Sequence, residues 1–591
     1  MAVNADGTLL AMGTEYNTVK LWSIEYDNQG APTLTEQYNI VWGEGEAITM
    51  GVDFDAAGNL YIVSPTNERL MVYSLPNTNN TYTTRVPLNR ENYPRVQKGE
   101  KPEDPKEDTG ERKEGLNAYT TNMSSAALET ENKVVITYVL NAPASGLELQ
   151  LLDDTKQVVA TIPMNSPENR TKGSHRVEVD LNNLGIASGI YNWALNAKSL
   201  PLTNNEPICA VDNLPDKMVA SKGLAIDNDY NSPYFGQLYV AESSGDKVLA
   251  NKAIYIYDAA LDMIEKVTSD KWCAAVSAPC RVTVGPDHLL YISEWADVYP
   301  NNAYIMDPAN TSVLTPIFGG TPAADGIYTA ADGKDIHGSI SHIWVEGTGA
   351  DRVMYTFDED IKMEGLKNPM GLYQYNIGEL VTPWEQAPSA LIFDNADFYQ
   401  QNGNSFIQPD KYGWWISQDR SADNATIPAL IHINKEGKVD YNSAGALGGR
   451  TRGALGFNQD MTLMATAVTG GILIWKVSYN DSVPVLENTL RLETSFAQSC
   501  WNVVFDVAGN VYASGAGSLC AWALPTQSNA CVVNAPDDDM ITVVLTSVEN
   551  IYVDTTIFKE GFYTITGQYL GTDENNLPQG LYIINGKKVI K

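Results

Sequence analysis

The sequence predicts an all-β protein, and three observations support this fold class. Apolar runs with a helical period are scarce among its 591 residues, whereas short runs rich in β-branched and aromatic residues recur throughout. Gly, Asp, Asn and Pro interrupt these runs, as they do in tight turns between antiparallel strands. With 43% hydrophobic and 19% charged residues, the composition is that of a globular protein with a large core.

One unit recurs about eight times along the chain. It consists of an apolar strand, a turn that combines Asp or Asn with Gly, a strand rich in Tyr and Val, and a third strand. The clearest copies are residues 4–11 (NADGTLLA), 54–63 (FDAAGNLYIV) and 505–513 (FDVAGNVYA). Copies start roughly 45 to 65 residues apart, the size of a four-stranded propeller blade. Because one blade cannot bury both of its faces, the sequence predicts a β-propeller whose blades stack around a ring.

Two propeller arrangements are consistent with the repeats. Residues 18–76 resemble residues 471–525 over two blades rather than one. The chain therefore contains either one eight-bladed ring, interrupted after its second blade, or a six-bladed ring preceded by two extra blades. The eight-bladed ring is favoured, because two isolated blades would expose apolar faces and a free edge strand.

The repeats also resemble a known group, the β-propellers of the WD40-like and NHL-like kind. Residues 223–227 (GLAID) and 238–242 (LYVAE) are similar to an NHL blade. The full WD signature is absent, since no Gly-His pair precedes the strands. The resemblance therefore implies an architecture and no particular activity.

The interruption after the second blade differs in composition from the blades. Residues 94–115 carry mixed charges and prolines without an aromatic residue, so they cannot bury enough surface to fold. Residues 133–140 (KVVITYVL), 147–159 (LELQLLDDTKQVV) and 175–181 (HRVEVDL) alternate as two-faced strands. They resemble the FlgD-type immunoglobulin-like β-sandwich, here inserted between blades. The predicted domains are 1–90 (two blades), 91–117 (charged linker), 118–200 (Ig-like sandwich), 205–535 (six blades) and 541–591 (a small C-terminal β module).

The C-terminal module carries a second resemblance. Asn585-Gly586 between two apolar runs predicts a two-residue β-hairpin. Together with residues 563–568 (YTITGQ), this segment is similar to the C-terminal sorting tails of secreted Bacteroidetes proteins. The resemblance implies a secreted or cell-surface protein. Since the N-terminus shows no signal-peptide pattern, we expect the export signal to lie upstream of Met1.

Charge excludes several classes of partner. The 39 Lys+Arg against 72 Asp+Glu leave a net charge of −33 without any basic cluster, which argues against binding of nucleic acid or anionic lipid. No apolar run is long enough to predict a transmembrane helix. The six Cys form no CxxC pair, so a zinc ribbon or iron–sulfur site is excluded. Buried thiols are expected, with a Cys273–Cys280 disulfide as the alternative.

No sequence motif of a hydrolase, metalloprotease or nucleotide-binding enzyme occurs. Acidic residues at strand ends are of more interest, because the inner strands of a propeller face a central channel where oxygen ligands can converge on Ca²⁺. In lactonase-type propellers, such carboxylates hold a calcium ion that activates water. The alternative is that each Asp before a turn accepts backbone N–H bonds, as Asp55 and Asp506 should. The candidate metal ligands are Asp227, Glu242, Glu294 and Asp297.

Four tryptophans near strand ends are candidates for stacking on sugar rings: Trp295, Trp344, Trp414 and Trp501. The alternative for each is packing at an interface between blades. The preferred function is a non-catalytic, cofactor-free binding or scaffold protein, extracellular or at the cell surface, that recognises a glycan or a protein. The alternative is a calcium-dependent propeller enzyme of lactonase or lyase type, which needs three or more oxygen ligands at one mouth of the channel.

Overall fold

The structure, a computed structural model, divides into two compact units, Met1–Lys98 and Gly99–Lys591. The residues that it describes are 1–4, 8–13, 18–26, 31–41, 51–55, 59–64, 69–73, 75, 115–128, 132–202, 205–211, 218, 220–243, 252–274, 277–363, 370–379, 382–395, 405–418, 423, 426–447, 453–468, 470–494, 500–515, 518–526, 529–544, 561–564, 569–572, 577, 581–584 and 587–590. The predicted linker, apart from its last three residues, lies outside this set.

The first unit contains two antiparallel sheets. Their strands are β1 (Ala2–Val3), β2 (Leu9–Gly13), β3 (Thr18–Tyr26) and β4 (Pro32–Val41) in one, and β5 (Gly51–Phe54), β6 (Leu60–Ser64) and β7 (Arg69–Tyr73) in the other. Leu21 of the first sheet and Phe54 and Ile62 of the second belong to one buried core. The two sheets therefore cover each other's apolar faces.

The second unit begins with a two-layer β-sandwich. Its strands are β8 (Thr120–Leu128), β9 (Lys133–Leu140), β10 (Ala144–Leu152), β11 (Val158–Pro163), β12 (Gly173–Asp180) and β13 (Gly189–Ser199), with a 3-10 turn at Pro167–Arg170. One layer has the order β12-β9-β8, and the other contains β11-β10-β13. Ile136 and Tyr138 of the first layer share a core with Leu149 and Trp193 of the second.

A ring of blades follows, each an antiparallel sheet in chain order from the axis outwards. A further strand, β14 (Ile208–Val211), precedes blade 1 in the chain. Blade 1 consists of β15 (Ser221–Ile226), β16 (Leu238–Glu242), β17 (Ala253–Tyr257) and β18 (Met263–Thr268), and blade 2 of β19 (Val282–Val284), β20 (Leu290–Ser293), β21 (Ala303–Met306) and β22 (Leu314–Pro316). A small connecting sheet follows, with β23 (Thr321–Pro322), β24 (Tyr328–Thr329) and β25 (Asp335–His337).

The next three blades have the same four-stranded form. Blade 3 consists of β26 (Ile340–Glu346), β27 (Val353–Asp358), β28 (Gly371–Tyr375) and β29 (Ala390–Asp394), with a 3-10 turn at Gly349–Asp351. Blade 4 consists of β30 (Phe406–Pro409), β31 (Gly413–Ser417), β32 (Leu430–Asn434) and β33 (Val439–Asn442). Blade 5 consists of β34 (Leu455–Phe457), β35 (Leu463–Val468), β36 (Gly471–Asn480) and β37 (Val483–Glu493).

The sixth blade joins the two ends of the ring. Its inner three strands are β38 (Cys500–Phe505), β39 (Val511–Gly515) and β40 (Ser518–Ala523), and its outer strand is β14, in which Ile208 lies opposite Ala523. Successive inner strands contact each other around the axis, and β38 contacts β15. The described sheets between residues 208 and 523 therefore close a six-bladed propeller.

The fold class predicted from the sequence, an all-β propeller, is confirmed. The preference for eight blades is wrong, because β14 completes blade 6 and the inner strands of blades 1 and 6 are in contact. The physical argument against two extra blades failed because the two sheets of the first unit bury their apolar faces against each other. Since the ring begins at β14, the six sandwich strands described so far precede the ring in the chain, and the sandwich is not inserted into it. Its assignment to the FlgD type stays a prediction.

Two strands from beyond the ring complete the sandwich. They are β41 (Ala530–Asn534) and β42 (Ile541–Val543), and both pair with β13. Residues 530–535, which the sequence analysis assigned to the ring, thus belong to the sandwich. Asp539 accepts hydrogen bonds from the indole N–H of Trp193 (3.1 Å) and the backbone N–H of Ser125 (2.9 Å), which holds this segment in place.

A buried asparagine network joins the sandwich to the ring. The side chain of Asn117 donates to the carbonyl oxygen of Leu524 (2.9 Å), and its backbone N–H donates to Oδ1 of Asn510 (2.6 Å). Asn510 and Asn141 each donate to the carbonyl oxygen of Asn117 at 3.0 Å. Next to this network, the ring of Tyr119 contacts that of Phe235 in blade 1 edge-on. The sandwich and ring therefore share a hydrogen-bonded, apolar interface.

The C-terminal residues form a small antiparallel sheet in the order β44-β43-β45-β46, composed of β43 (Phe562–Thr564), β44 (Tyr569–Gly571), β45 (Leu581–Ile584) and β46 (Lys587–Ile590). Ile584 lies opposite Lys587, so the strands that flank Asn585-Gly586 pair as predicted, while those two residues lie outside the described set. Its likeness to a sorting tail stays a prediction.

The cysteines and the helix content complete the description. None of the six cysteines, all of which lie in the described residues, forms a disulfide, so Cys273 and Cys280 are not bridged, and five of the six are buried. In the described part of the chain, no helix has the length and apolarity that crossing a membrane requires.

Candidate functional site

The four predicted sugar-stacking tryptophans lie in different parts of the ring. Trp344 of β26 and Trp414 of β31 both pack on the apolar core that blades 3 and 4 share. The ring of Trp501, on β38, lies 5.6 Å from the ammonium group of Lys222. Trp295 follows β20 and is half-buried. Their role in glycan binding stays a prediction, and Trp414, which is buried, is packed as the alternative expects.

Three of the four predicted metal ligands are buried and accept local hydrogen bonds. Burial raises the pKa of the Glu294 carboxyl to about 8 and also raises that of Asp227. Each of these carboxylates accepts backbone N–H groups and so fixes a turn or the end of a strand. The backbone N–H donors are Asp229 for Asp227, Ala220 for Glu242, and Cys273 and Asn302 for Glu294. Asp55 and Asp506 accept backbone N–H bonds within their turns, as predicted.

The fourth predicted ligand, Asp297, belongs to a group of converging carboxylates. Among the described residues, one group of three or more potential metal ligands occurs, and it consists of Asp297, Glu359 and Asp360. One oxygen of each lies within 4.8 Å of the others. Asp297 follows β20, the second strand of blade 2, while Glu359 and Asp360 follow β27, the second strand of blade 3. Because equivalent strands of neighbouring blades end side by side, the three side chains meet at the joint between the two blades.

Hydrogen bonds orient all three carboxylates. Ser339, just before β26, donates from its hydroxyl to Asp297 (2.8 Å) and from its backbone N–H to Asp360 (3.1 Å). The indole N–H of Trp295 donates to Oε1 of Glu359. Asp358, the last residue of β27, accepts the backbone N–H of Asp360 at 2.9 Å. Hydrogen bonds thus hold the cluster at the blade joint, where Glu359 is buried, Asp360 is half-buried and Asp297 is exposed.

Electrostatic repulsion in this cluster is strong. Burial, and next the neighbouring Asp360, raise the pKa of Glu359 to about 8. The same two causes raise the pKa of Asp358 to about 7, and burial raises that of Asp360. The other oxygen of Glu359, Oε2, is buried and has no hydrogen-bond partner. The arrangement can therefore take up a cation, which would offset both the repulsion and the lost hydration.

The ring axis, where the sequence placed the calcium ligands, carries a cation instead. The fully buried Arg281, which precedes β19 of blade 2, donates from Nη1 to the carbonyl oxygens of Lys222 (2.6 Å) in blade 1 and Trp501 in blade 6. Its guanidinium carbon lies 5.6 Å from the ring centre of Phe406 in blade 4. His342 of blade 3 stacks on the same phenyl ring at 3.8 Å. Side chains from blades 2, 3 and 4 therefore fill the axis at this level.

The composition of the axis disfavours a metal ion there. Burial, and next the positive charge of Arg281, keep the pKa of His342 well below its usual range, so the imidazole is neutral. Its Nδ1 accepts the backbone N–H of Ile407 at 3.3 Å. A guanidinium at this position repels cations, so calcium held on the axis in the manner of a lactonase does not fit this level of the ring.

A second polar network lies at the opposite ends of the blade strands, between blades 4 and 5. Asp410 accepts hydrogen bonds from the hydroxyl of Tyr479 (2.6 Å), the indole of Trp415 (2.9 Å) and the imidazole of His432 (3.3 Å). Burial opposes its charge, but these donors hold the pKa of Asp410 well below its usual range. A cavity of about 430 Å³ lies beside it. Asp410 also accepts the backbone N–H groups of Tyr412 and Gly413, so its carboxylate fixes the turn between β30 and β31.

Glu359 and Asp360 were missed because blade 3 has a degenerate repeat. A signal was nevertheless present in the sequence. In blades 1 and 2 an acidic residue stands three positions after the tyrosine of the second strand, as Glu242 and Glu294 do, and Asp358 has the same position in blade 3. Alignment of the three blades on these tyrosines would have pointed to the acidic run that contains Glu359.

Comparison with known proteins found similarity to solved structures only. No protein-family model matches the chain, and no curated protein matches it in sequence. Among solved structures, the chain is similar to the WD40 β-propeller domain of Doa1 (6% identity, 54% of this chain, 97% of that chain, TM-score 0.33), to a gluconolactonase from Xanthomonas campestris (12%, 54%, 89%, 0.33) and to the calcium-binding protein regucalcin from Agrobacterium tumefaciens (11%, 53%, 93%, 0.33). They include a WD40 domain and a lactonase, so they do not separate binding from catalysis.

Proposed function

We propose that this chain is a non-catalytic binding protein that works outside the cell or at its surface and recognises a glycan or a protein. The observation that carries the proposal is the filled ring axis. Propeller enzymes of the type considered above need converging oxygen ligands at the mouth of the channel. Here Arg281, His342 and Phe406 occupy the axis, and the carboxylates Glu242 and Glu294 are engaged by backbone N–H groups.

The interface between sandwich and ring also supports a binding role. Because buried hydrogen bonds of Asn117 and Asn510 join them, a ligand that contacts both would meet a preorganised surface. The exported location rests on the resemblance of the C-terminal segment to bacterial sorting tails. The net charge of −33 favours neutral or basic ligands over nucleic acid.

Binding and turnover can be measured on the same preparation of the full chain. We expect saturable binding to glycans on an array or to an extracellular protein, and no turnover of aliphatic or sugar lactones with millimolar Ca²⁺ or with EDTA. Trp295→Ala and Trp501→Ala should weaken glycan binding if their rings stack on sugars, whereas Trp414→Phe, in the core, should not. Calcium-dependent turnover of a lactone would contradict the proposal and favour the enzyme alternative.

A further inference from the structure

The acidic cluster at the joint of blades 2 and 3 has no compensating positive charge in the described part of the chain. Asp297, Asp358, Glu359 and Asp360 follow one another closely in space. Among the residues that the structure describes, no lysine, arginine or histidine forms an ion pair with any of the four. Buried carboxylates are normally paired or bound to a metal, because an isolated buried charge is costly.

Glu359 provides an independent indication of a ligand. Its side chain is only 5% exposed, yet Oε2 has no hydrogen-bond partner. The other oxygen accepts the indole N–H of Trp295, which fixes the carboxylate among the oxygens of Asp297 and Asp360. Buried polar atoms in native proteins nearly always have a partner, so an orphaned carboxylate oxygen inside an acidic cluster points to a bound cation.

The donor set identifies the class of cation. Every candidate ligand is an oxygen, which suits Ca²⁺ or Mg²⁺ and not the nitrogen and sulfur sites typical of zinc. One oxygen of each carboxylate lies within 4.8 Å of the others, so all three can reach one ion. Ca²⁺ accepts irregular sets of oxygen ligands, whereas Mg²⁺ demands near-ideal octahedral geometry. We propose that Asp297, Glu359 and Asp360 bind Ca²⁺.

This ion would link two blades. Asp297 belongs to the connection between β20 and β21 of blade 2, and Glu359 and Asp360 belong to blade 3. Since Asp297 is exposed, one side of the ion would face solvent and take water or an oxygen of a bound partner. The site lies off the ring axis and does not depend on the binding function proposed above, so either proposal can fail without the other.

Thermal unfolding of the full chain tests the site directly. After removal of metal with EDTA, Ca²⁺ at about 100 times its Kd should raise the Tm by about 3 °C, because it binds only the folded state. Glu359→Gln keeps an acceptor for Trp295, so it should fold while losing at least about tenfold in Ca²⁺ affinity. Asp360→Asn should behave likewise. Asp332→Asn, which removes an exposed carboxylate on the neighbouring hairpin, is the matched control and should retain the full rise.

Terbium luminescence gives a second readout at the same site. Tb³⁺ substitutes for Ca²⁺, and we expect Trp295 to sensitise its emission because the indole contacts Glu359. Trp295→Phe, which lacks the indole, should lose the sensitised emission. No rise in Tm for the unmodified chain at millimolar Ca²⁺ would overturn the proposal. An equal rise in the unmodified chain, Glu359→Gln and Asp297→Asn would overturn it as well, because the ion would then bind elsewhere.

Discussion

Nη1 of Arg281, in blade 2, donates a hydrogen bond across the ring axis to the carbonyl oxygen of Trp501 in blade 6. The same nitrogen donates to Lys222 of blade 1, which lies between these two blades. One side chain thus ties together three blades, including the two that meet where the ring closes. Its guanidinium also lies over the ring of Phe406 in blade 4.

Replacing Arg281 should destabilise the ring. Arg281→Ala leaves the carbonyl oxygens of Lys222 and Trp501 without this donor and opens a cavity on the axis, so we expect a loss of about 2–4 kcal/mol in the free energy of unfolding. Arg176→Ala, the same substitution at an exposed site in the sandwich, should change it by less than about 0.5 kcal/mol. Chemical denaturation of both variants makes the comparison. Equal midpoints for the two would contradict an axial role for Arg281.

The interface between sandwich and ring should make them unfold together. Asn117→Ala removes a buried amide that donates to Leu524, which should cost about 1–3 kcal/mol. Calorimetry of the unmodified chain should show a shared transition for these two parts, and the variant should separate it into two. Asn376→Ala, at an exposed position in blade 3, should leave the transition intact. Separate transitions in the unmodified chain would contradict the coupling.

Gly236 is expected to tolerate no side chain. Its φ of +82° favours glycine, and a Cβ there would lie 2.7 Å from Cγ2 of Thr121 in the sandwich. Gly236→Ala should therefore cost about 2–3 kcal/mol, the sum of backbone strain and steric clash. Gly173→Ala is the matched control, since Gly173 has a φ of +111° but no atom within 4 Å of an added Cβ. It should cost only about 1 kcal/mol of backbone strain. Similar losses in both variants would exclude the clash.

Glu294 should make stability fall as the pH rises. Burial raises its pKa to about 8 in the folded state, above the value near 4.3 of an unfolded chain. The folded state therefore binds the Glu294 proton more tightly than the unfolded state does. The stability that this proton contributes is fully present below about pH 4 and decreases as the pH rises to about 8. Glu294→Gln should flatten this part of the pH profile measured by denaturant unfolding. Glu265→Gln, an exposed glutamate, should follow the unmodified chain. An unchanged slope in Glu294→Gln would contradict the prediction.

Local patterns predicted those parts of the fold that depend on nearby residues. The turn of Asp506 forms because its carboxylate accepts backbone N–H groups only two and four residues ahead. The pairing around Asn585-Gly586 is equally local. By contrast, Ile208 pairs with Ala523, and Lys198 with Ala530, at separations that no local pattern encodes. For this reason the predicted number of blades was wrong, and the last two strands of the sandwich were not predicted.

The candidate site also combines residues that local sequence predicts with residues that only the assembled ring brings together. Asp297 was found because a carboxylate after a blade strand is a recognisable feature, but its neighbours come from the next blade, whose repeat is degenerate. Arg281 could not have been predicted, since only the closed ring brings its guanidinium to Trp501. Burial and convergence between blades are properties of the assembled ring.

The pairing of β14 with β40 delays the completion of blade 6 during synthesis. β14 leaves the ribosome before blade 1 and must wait, without its partner, until Ser518–Ala523 has been made. The sandwich waits longer still, because β42 ends at Val543. A chain that stops short of that residue would carry an open ring, a sandwich with a bare edge, or both. Unpaired strand edges are templates for aggregation, so chaperones that cover such edges should associate with the nascent chain until Val543 has been made.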